Sequence, residues 1–297
     1  MKELFKKENW VMGMVFLLVN LTSIVVVATV CGFNIPIAFL TCGINTVLFH
    51  AITNNKLSSF VGTSGLFIGG ILIISSKYGE QYAVGGVMMA GVIYTIMAFV
   101  FLKWQDKIMK HIPKWLLSMA LLLIGLGLIP IGSDIIKTNL AIGLISLLVM
   151  FIVENKCSAK VRLFSMPIAI AVASIVNFSI EGLPVLEKQV MEITTPMFNV
   201  ESFFVISIIA IATLFEIMSD CKLAGDIKGI DTFKEVGMFR VLLASGIGCF
   251  VSGTVGGGVA TTFSENNQAV VLTGYKNGYA QVVTGILFVI LAFVTPS

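Results

Sequence analysis

Hydrophobic residues are grouped along this chain into eleven long segments, which short polar stretches separate. The longest runs, such as 12–31, hold about the 20 residues that a helix needs to cross the hydrocarbon core of a bilayer. The pattern predicts an all-α polytopic membrane protein with about eleven crossings. The segments fall at 10–31, 34–52, 58–75, 82–102, 113–132, 136–153, 162–179, 203–221, 239–256, 261–275 and 279–295.

Composition excludes a water-soluble domain. Of the 297 residues, 57% are hydrophobic and 12% are charged, whereas a soluble domain carries about 25% charged residues. The net charge of +3 is small and the basic side chains form no single patch, so we expect no nucleic-acid partner. The sequence has no nucleophile–base pair, phosphate loop or metal-ligand spacing among its cysteines and histidines. We therefore expect neither an enzyme, nor a cofactor, nor a metal site.

The distribution of lysine and arginine predicts the orientation in the membrane. If the first segment enters from the cytoplasm, the loops on that side carry 15 of the 19 basic residues, or 16 if segment 261–275 crosses. The opposite side carries an acidic loop with Glu181, Glu187, Glu192 and Glu201. Because cytoplasmic loops are enriched in basic residues, we expect a multi-pass protein of the cell (plasma) membrane with a cytoplasmic N-terminus.

Two of the apolar segments are interrupted by glycine, β-branched and hydroxyl residues. They read FVGTSGLFIGG at 60–70 and GGGVATTFSENNQ at 256–268. β-branched residues favour an extended backbone, which a membrane tolerates only where it is buried in protein or lines a water-filled cavity. We therefore expect 60–64 and 259–263 to pair as antiparallel strands near the midplane of the bilayer.

A short helix is expected after each interruption. Ser264 is a natural N-cap, which predicts a half-helix that starts at Glu265. Interrupted segments in corresponding places of two halves indicate a transporter with inverted repeats, whose binding site lies where the breaks meet. Both half-helices would then point their amino ends at one site.

Three acidic residues stand in or beside apolar segments. Glu216 lies about fourteen residues into its segment and Asp220 follows at i+4, while Glu265 belongs to the second interruption. Carboxylates inside a membrane are costly and mark transport or proton paths. Two placements stay open for Asp220, on a proton path with Glu216 or at the cytoplasmic surface beside Lys222, and the pattern favours the surface.

Three motifs together resemble the nucleobase–ascorbate transporter family, which includes bacterial uracil and xanthine permeases. TTFSENNQ at 261–268, followed by Thr-Gly at 273–274, is similar to the family's T-T-[YF]-x-[EQ]-N-x-G and the T-[RKG] after it. FEIMSD at 215–220 and FVGTSGLFI at 60–68 are similar to its motifs in the eighth and third spans. Order, spacing and hydropathy agree over nearly the whole chain.

The resemblance implies a fold and its division into domains. The family has fourteen spans, with a core domain of spans 1–4 and 8–11 and a gate domain of spans 5–7 and 12–14. About eleven are present here, so the last three gate spans are missing. Residues 1–110 and 201–297 then correspond to the core domain and 111–200 to the gate domain.

The resemblance also implies a function and a site. It predicts import of a nucleobase, a purine such as xanthine or a pyrimidine such as uracil, by symport with a proton, or with sodium instead, and with alternating access. Glu216 and Glu265 correspond to the glutamates that bind the base, and Glu216 and Asp220 to the proton-coupling groups. The other residues that correspond to the substrate site are Ser264, Phe263, Phe67, Gly65 and Asn266.

The chain departs from the family pattern at a few positions. Gln268 replaces a glycine, and Gly65 stands where some uracil-type members place an aromatic residue that stacks on the base. Gly274 resembles the purine branch, whereas Glu265 is more usual in the uracil branch. The substrate therefore stays open between purine and pyrimidine.

Two alternative functions remain. One is an anion carrier of the sulfate-permease type, which has the same architecture but is disfavoured because two carboxylates would repel an anion. The other is a non-transporting membrane subunit of the same fold. The missing spans suggest a homodimer, or a second chain that supplies them.

Overall fold

Each of the eleven apolar segments contains a helix. A computed structural model describes residues 3–111, 114–182 and 190–294, so Glu187 of the acidic loop lies outside the described residues. A 3₁₀ turn at Gly65–Phe67 and a π turn at Thr232–Val236 complete the regular structure. The elements are α1 (Lys7–Cys31), α2 (Ile35–Ile52), β1 (Val61–Thr63), α3 (Ile68–Tyr78), α4 (Glu80–His111), α5 (Lys114–Thr138), α6 (Leu140–Lys156), α7 (Ala159–Arg162), α8 (Ser165–Glu181), α9 (Val200–Lys228), α10 (Met238–Val255), β2 (Ala260–Thr262), α11 (Ser264–Thr273) and α12 (Gly278–Val294).

The helices confirm the predicted all-α membrane architecture. Among the described residues, α1, α2, α4, α9 and α10 are long and apolar enough to cross a bilayer, and α8 and α12 are shorter apolar helices. α3 and α11 have only 11 and 10 residues, because each follows an interruption of its apolar segment. The number of crossings stays a prediction.

The two interruptions meet as the expected antiparallel pair. Val61 lies opposite Thr262, Gly62 opposite Thr261 and Thr63 opposite Ala260. The pairing continues by one hydrogen bond at each end, from Ser64 N to Val259 O at 2.8 Å and from Phe263 N to Phe60 O at 3.1 Å. The predicted pairing of 60–64 with 259–263 is therefore confirmed, and both strands are fully buried.

Side chains of neighbouring helices supply partners for the outer edges of this ribbon. The Thr46 hydroxyl of α2 accepts from Val61 N and donates to Val61 O, both at 3.1 Å. On the other edge, Ala260 N donates to the Cys249 sulfur of α10 at 3.3 Å. Backbone groups at membrane depth need such partners because no water is available. The sheet can therefore stay two strands wide inside the bundle.

Glycine lets the helices that hold the sheet approach each other closely. A Cβ atom on Gly91 of α4 would lie 2.9 Å from the Gly246 carbonyl oxygen of α10, and one on Gly43 of α2 would lie 2.5 Å from the Gly285 carbonyl oxygen of α12. Small residues at such crossings are typical of helix packing in membranes. They bring α2 and α10 against the sheet, while α5 contacts α9 and α6 packs on α8.

Candidate functional site

A cavity of about 380 Å³ lies where the two short strands give way to short helices. Binding sites for small molecules usually have volumes of about 300–1,000 Å³. α1 and α9 form its walls together with both interruptions, and Gly125 of α5 also reaches it. The lining residues are Ser23, Val27, Thr63, Ser64, Gly65, Leu66, Gly125, Glu216, Thr261, Thr262, Phe263, Ser264 and Glu265.

Both short helices begin at this cavity. Gly65 and Leu66 stand at the start of the turn that leads into α3, and Ser264 and Glu265 form the start of α11. The first N–H groups of a helix have no partner inside it and carry a partial positive charge. The cavity therefore offers hydrogen-bond donors from the starts of two helices, as the sequence predicts.

Glu216 places a carboxylate in the cavity wall from the middle of α9. Its Oε2 atom is shielded from solvent and has no hydrogen-bond partner among the described residues. Buried polar atoms of native proteins are nearly always hydrogen-bonded. Because the Glu216 side chain lines the cavity and keeps an unused acceptor, this carboxylate can accept a hydrogen bond from a ligand or bind a proton.

Glu265 provides the second carboxylate, from the first turn of α11. Its side chain is exposed, because it lines the 380 Å³ cavity and also a smaller one of about 100 Å³. Ser23 of α1 is likewise shared by the two cavities. Glu265 therefore stands at the junction between the larger volume and a narrower one.

The narrower cavity is lined by polar and charged side chains as well as apolar ones. Gln268 contributes to it from α11, Glu154 from α6 and Arg162 from α7. A volume of about 100 Å³ is small compared with ordinary binding sites. This side of the site is constricted, and Gln268 is part of the constriction.

Asp220 lies behind the cavity rather than at the membrane surface. Its side chain is 2% exposed. Ser264 Oγ donates to Asp220 Oδ1 at 2.6 Å, and Thr262 Oγ1 donates to Oδ2 at 3.3 Å. The surface placement that the sequence favoured is wrong, because α9 continues to Lys228 and keeps this carboxylate against β2.

The helix start at α11 also differs from the prediction. The helix begins at Ser264, and Phe263 occupies the N-cap position without a capping hydrogen bond from its side chain. Ser264 lies one position inside the helix, and its hydroxyl donates to the Asp220 carboxylate. The serine instead ties α11 to α9.

The family follows from a match over almost the entire chain. The model of the xanthine/uracil permeases, described as the Permease family, matches residues 7–296. The chain belongs to this family. Since it is a family of transporters, the expectation of a transporter rather than an enzyme is confirmed.

Relatives within the family are moderately similar. A probable uracil permease of Haemophilus influenzae is 27% identical, with 90% of this chain and 68% of that protein covered. A putative pyrimidine permease of Escherichia coli is 24% identical, with 96% and 70% covered. The uracil permease of Bacillus subtilis is 23% identical, with 84% and 64% covered. The chain spans about two thirds of the length of these relatives.

A solved structure shows the same fold. The transmembrane domain of the cyanobacterial bicarbonate transporter BicA superposes with a TM-score of 0.68 at 13% identity, over 96% of this chain and 82% of that domain. At this identity the likeness concerns the fold alone. It supports the membrane-transporter architecture that was predicted for this permease family member.

The structure brings most of the predicted site residues together. Glu216, Glu265, Ser264, Phe263 and Gly65 all line the larger cavity, although their functional roles stay predictions. The Phe263 ring also packs edge-on against Phe60, with ring centroids 5.6 Å apart. A Cβ atom on Gly65 would fit without a clash, since it would lie in ordinary contact with Val27 Cγ2 at 3.6 Å.

Phe67 and Asn266 lie away from the cavity. Phe67 is fully buried in the hydrophobic core, and Leu66 lines the cavity in its place. Asn266 is also fully buried, where its Nδ2 donates to Ser58 O at 3.1 Å and its Oδ1 accepts from Asn20 at 3.2 Å. Both side chains are buried behind the residues that line the cavity. The geometry therefore gives no support to the substrate contacts expected of Phe67 and Asn266.

Sequence reasoning missed several lining residues. Ser23 is one of them, and its hydroxyl donates to the Met166 sulfur at 3.7 Å. Val27 follows Ser23 at i+4, and this spacing on one face of α1 was the available signal. Gly125 of α5 carries no signal in the sequence, because only the tertiary fold brings it to this place.

Proposed function

We propose that the chain is a nucleobase permease that binds its substrate in the 380 Å³ cavity and moves it across the cell membrane by alternating access. The observation that carries this proposal is the pair of carboxylates, Glu216 and Glu265, in one cavity, with Glu216 Oε2 lacking a hydrogen-bond partner among the described residues.

The chemistry of the cavity suits a flat, neutral ring with N–H donors and carbonyl acceptors. Glu216 and Glu265 would accept hydrogen bonds from ring N–H groups, and the N–H groups at the starts of the short helices would donate to ring carbonyls. Phe263 and Leu66 provide apolar surface for the ring faces. Relatives named uracil permease and pyrimidine permease favour a pyrimidine such as uracil, with xanthine as the purine alternative.

The same carboxylates argue against an anion as the substrate. An oxyanion would meet two carboxylates that line the same cavity, and like charges repel. The likeness to a bicarbonate transporter concerns the fold and does not alter this argument.

Transport would require movement between two groups of helices. Residues 1–110 and 201–297 would form the core domain that carries the site, and 111–200 would form the gate domain that shields it. Glu265 and Gln268 would face the path that leads to the constricted side, next to Arg162. With the N-terminus in the cytoplasm, this path would open toward the cytoplasm, and the partner of the chain would be a second copy.

The coupling ion would be a proton, with Glu216 as its carrier. An acidic side chain in the interior of a membrane, without a fixed partner, is the usual component of a proton path. Asp220 would hold Ser264 in place and would not itself release a proton. Its two carboxylate oxygens already accept hydrogen bonds from Thr262 and Ser264.

Uptake of radiolabelled uracil and xanthine into a permease-deficient bacterial strain tests the proposal. We expect the wild type to accumulate one of them and Glu216→Gln and Glu265→Gln to reduce uptake at least tenfold each, since hydrogen bonds to charged groups contribute about 1.5–3 kcal/mol. Glu8→Gln with Glu192→Gln is the matched control, because both side chains are exposed and lie away from the cavity. Undiminished uptake by the Glu216, Glu265 double variant at equal expression would reject the assignment.

The coupling ion requires a separate measurement in proteoliposomes. An imposed inward proton gradient should drive accumulation by the wild type, and a protonophore should abolish it. Glu216→Gln should lose the stimulation by the gradient. Accumulation that follows a sodium gradient instead would replace the proton by sodium without affecting the proposed substrate.

A further inference from the structure

A second, larger groove lies at the end of α4, away from the cavity described above. Its volume is about 700 Å³, and it is enclosed by residues 101–107 of α4, residues 233–237 of the π turn and the link after it, and the first turn of α10. The apolar segment of α4 ends at Leu102 and that of α10 begins at Phe239. The groove is therefore at the level where these helices leave the hydrocarbon core.

The groove is rich in basic side chains. Lys103, Lys107, Lys234 and Arg240 line it, against Asp106 and Glu235. Within the described part of the chain, Lys103, Lys107 and Arg240 have no carboxylate within ion-pair distance, whereas Lys234 lies 3.9 Å from Asp231. Lys103 Nζ lies over the Trp104 ring, 5.1 Å from its centroid. Three cationic groups thus line the groove without a carboxylate partner among the described residues.

Specific hydrogen bonds fix the walls of the groove. Gln105 Nε2 donates to Phe233 O at 2.6 Å, and Met238 N donates to Gln105 Oε1 at 2.7 Å. Trp104 leaves helical geometry, with φ −126° and ψ 16°, so α4 turns at this point. The Gln105 side chain therefore fastens the end of α4 to the start of α10, and the groove is a built feature of the fold.

The start of α10 adds to the positive potential. Gly237 precedes this 18-residue helix, and Phe239 and Arg240 of its first turn line the groove. The amino end of a helix carries a partial positive charge and N–H groups without intrahelical partners. Together with the unpaired basic side chains, it favours a ligand with a negatively charged, oxygen-rich group.

Apolar surface continues directly from the groove. A neighbouring groove of about 500 Å³ is lined by Val100, Trp104, Lys107, Ile108 and His111, so it shares Trp104 and Lys107 with the first. Leu102 of the basic groove is 61% exposed. Tryptophan is typical of the interface between hydrocarbon and headgroups. A ligand that bound here would combine an anionic group with hydrocarbon chains.

We propose that this groove binds the headgroup of an anionic phospholipid, whose acyl chains lie along α4. Basic pockets between transmembrane helices at the membrane surface are suited to phosphate-containing lipid headgroups. A soluble phosphate compound would use the basic groups but not the adjoining apolar groove, so the combination favours a lipid. The proposal depends on the membrane setting of the chain and not on the identity of its transported substrate.

The test uses the purified full chain in detergent and titrates it with phosphatidylglycerol or phosphatidylcholine, while bound lipid is counted by native mass spectrometry. We expect phosphatidylglycerol to bind and phosphatidylcholine to bind much more weakly. The variant Lys103→Gln, Lys107→Gln, Arg240→Gln should lose roughly 100-fold in affinity, since each basic residue near an anionic lipid contributes about fivefold.

A matched variant separates a site from general surface charge. Lys7→Gln, Lys156→Gln, Lys160→Gln removes the same number of basic residues outside the groove and should bind phosphatidylglycerol like the wild type. An equal loss of affinity for phosphatidylglycerol in both triple variants would overturn the proposal, because general attraction to the basic surface would then explain the binding. The proposal would also be overturned if inorganic phosphate protected the protein against thermal unfolding as strongly as phosphatidylglycerol does. A soluble anion would then account for the site.

Discussion

Individual carboxylates of this site differ in their surroundings although they lie close in sequence and space. Glu216 Oε2 has no hydrogen-bond partner among the described residues, whereas Asp220 accepts from Ser264 and Thr262. Asn267 Nδ2 also donates to the Asp220 backbone oxygen at 3.1 Å. Glu216 is therefore free to act on a ligand, while Asp220 holds α11 and β2 to α9.

Asp220→Asn tests the structural role of this carboxylate. The amide cannot accept from both hydroxyl groups with the strength of a carboxylate, so we expect a loss of roughly 1–3 kcal/mol in the free energy of unfolding. The measurement is the melting temperature of the purified protein in detergent. Asp226→Asn is the control, because Asp226 pairs with Lys222 at the surface, where ion pairs contribute little. Equal melting temperatures of the two variants would contradict the assigned role.

Two glycines of the first interruption should respond differently to alanine. A Cβ atom on Gly62 would lie 2.4 Å from Phe263 Cζ, whereas the nearest atom to one on Gly65 is 3.6 Å away. Gly62→Ala should therefore lower the free energy of unfolding by about 1–3 kcal/mol, as overpacking of a core does. Gly65→Ala should stay within about 0.5 kcal/mol of the wild type.

The measurement for this pair is thermal unfolding followed by tryptophan fluorescence. Gly65→Ala should also change the affinity for the proposed substrate, since Gly65 lines the cavity. If Gly65→Ala were destabilised and Gly62→Ala were stable, the close packing of Gly62 against the Phe263 ring would be contradicted.

At the scale of elements, the two-stranded sheet depends on side chains from helices that flank it. Thr46 satisfies both backbone polar groups of Val61, and Cys249 accepts from Ala260 N. An isolated pair of strands is marginally stable at best. The helices α2 and α10 therefore stabilise the sheet by hydrogen bonds as well as by packing.

Thr46→Val should open this edge of the sheet. Valine keeps the volume but leaves Val61 N and O without partners where no water can replace them, at a cost of roughly 1–3 kcal/mol for each unsatisfied group. Hydrogen exchange of the Val61 amide should accelerate, and the melting temperature should fall. Thr41→Val is the matched control in the same helix, because the Thr41 hydroxyl donates only to carbonyls of α2 itself. Identical exchange at Val61 in both variants would refute the role of Thr46.

At the scale of the whole molecule, the proposed alternating access would require a path from the cavity past Gln268. Cys31, Cys42, Cys221 and Cys249 are buried, and Cys157 is half-buried. A Cys157→Ser background therefore leaves little thiol for a hydrophilic reagent. A cysteine introduced at position 268 would then be the main thiol that such a reagent reaches. Its labelling would therefore report access to the path.

Gln268→Cys in this background should react with a membrane-impermeant maleimide that is added from the side of the basic loops, and bound substrate should slow the reaction. Gln268 is exposed at the constriction. Phe293→Cys is the control, because this exposed position belongs to the apolar segment 279–295, which is expected to lie in lipid, where a thiolate is disfavoured. Labelling of position 268 that the substrate leaves unchanged would argue against a path at this place.

The sequence by itself determined the membrane architecture, the two interruptions, the pairing of 60–64 with 259–263 and the candidate glutamates. These features depend on hydropathy, β-propensity and motif spacing, which are properties of neighbouring residues in the chain.

Only the tertiary structure decided the surroundings of each residue. Asp220 and Ser264 meet although 44 residues separate them, and this contact belongs to the interior rather than to the expected surface. The partnerless oxygen of Glu216 and the basic groove beside Gln105 likewise arise from elements that are distant in sequence. Packing between such elements sets burial and hydrogen bonding, and no local pattern records it.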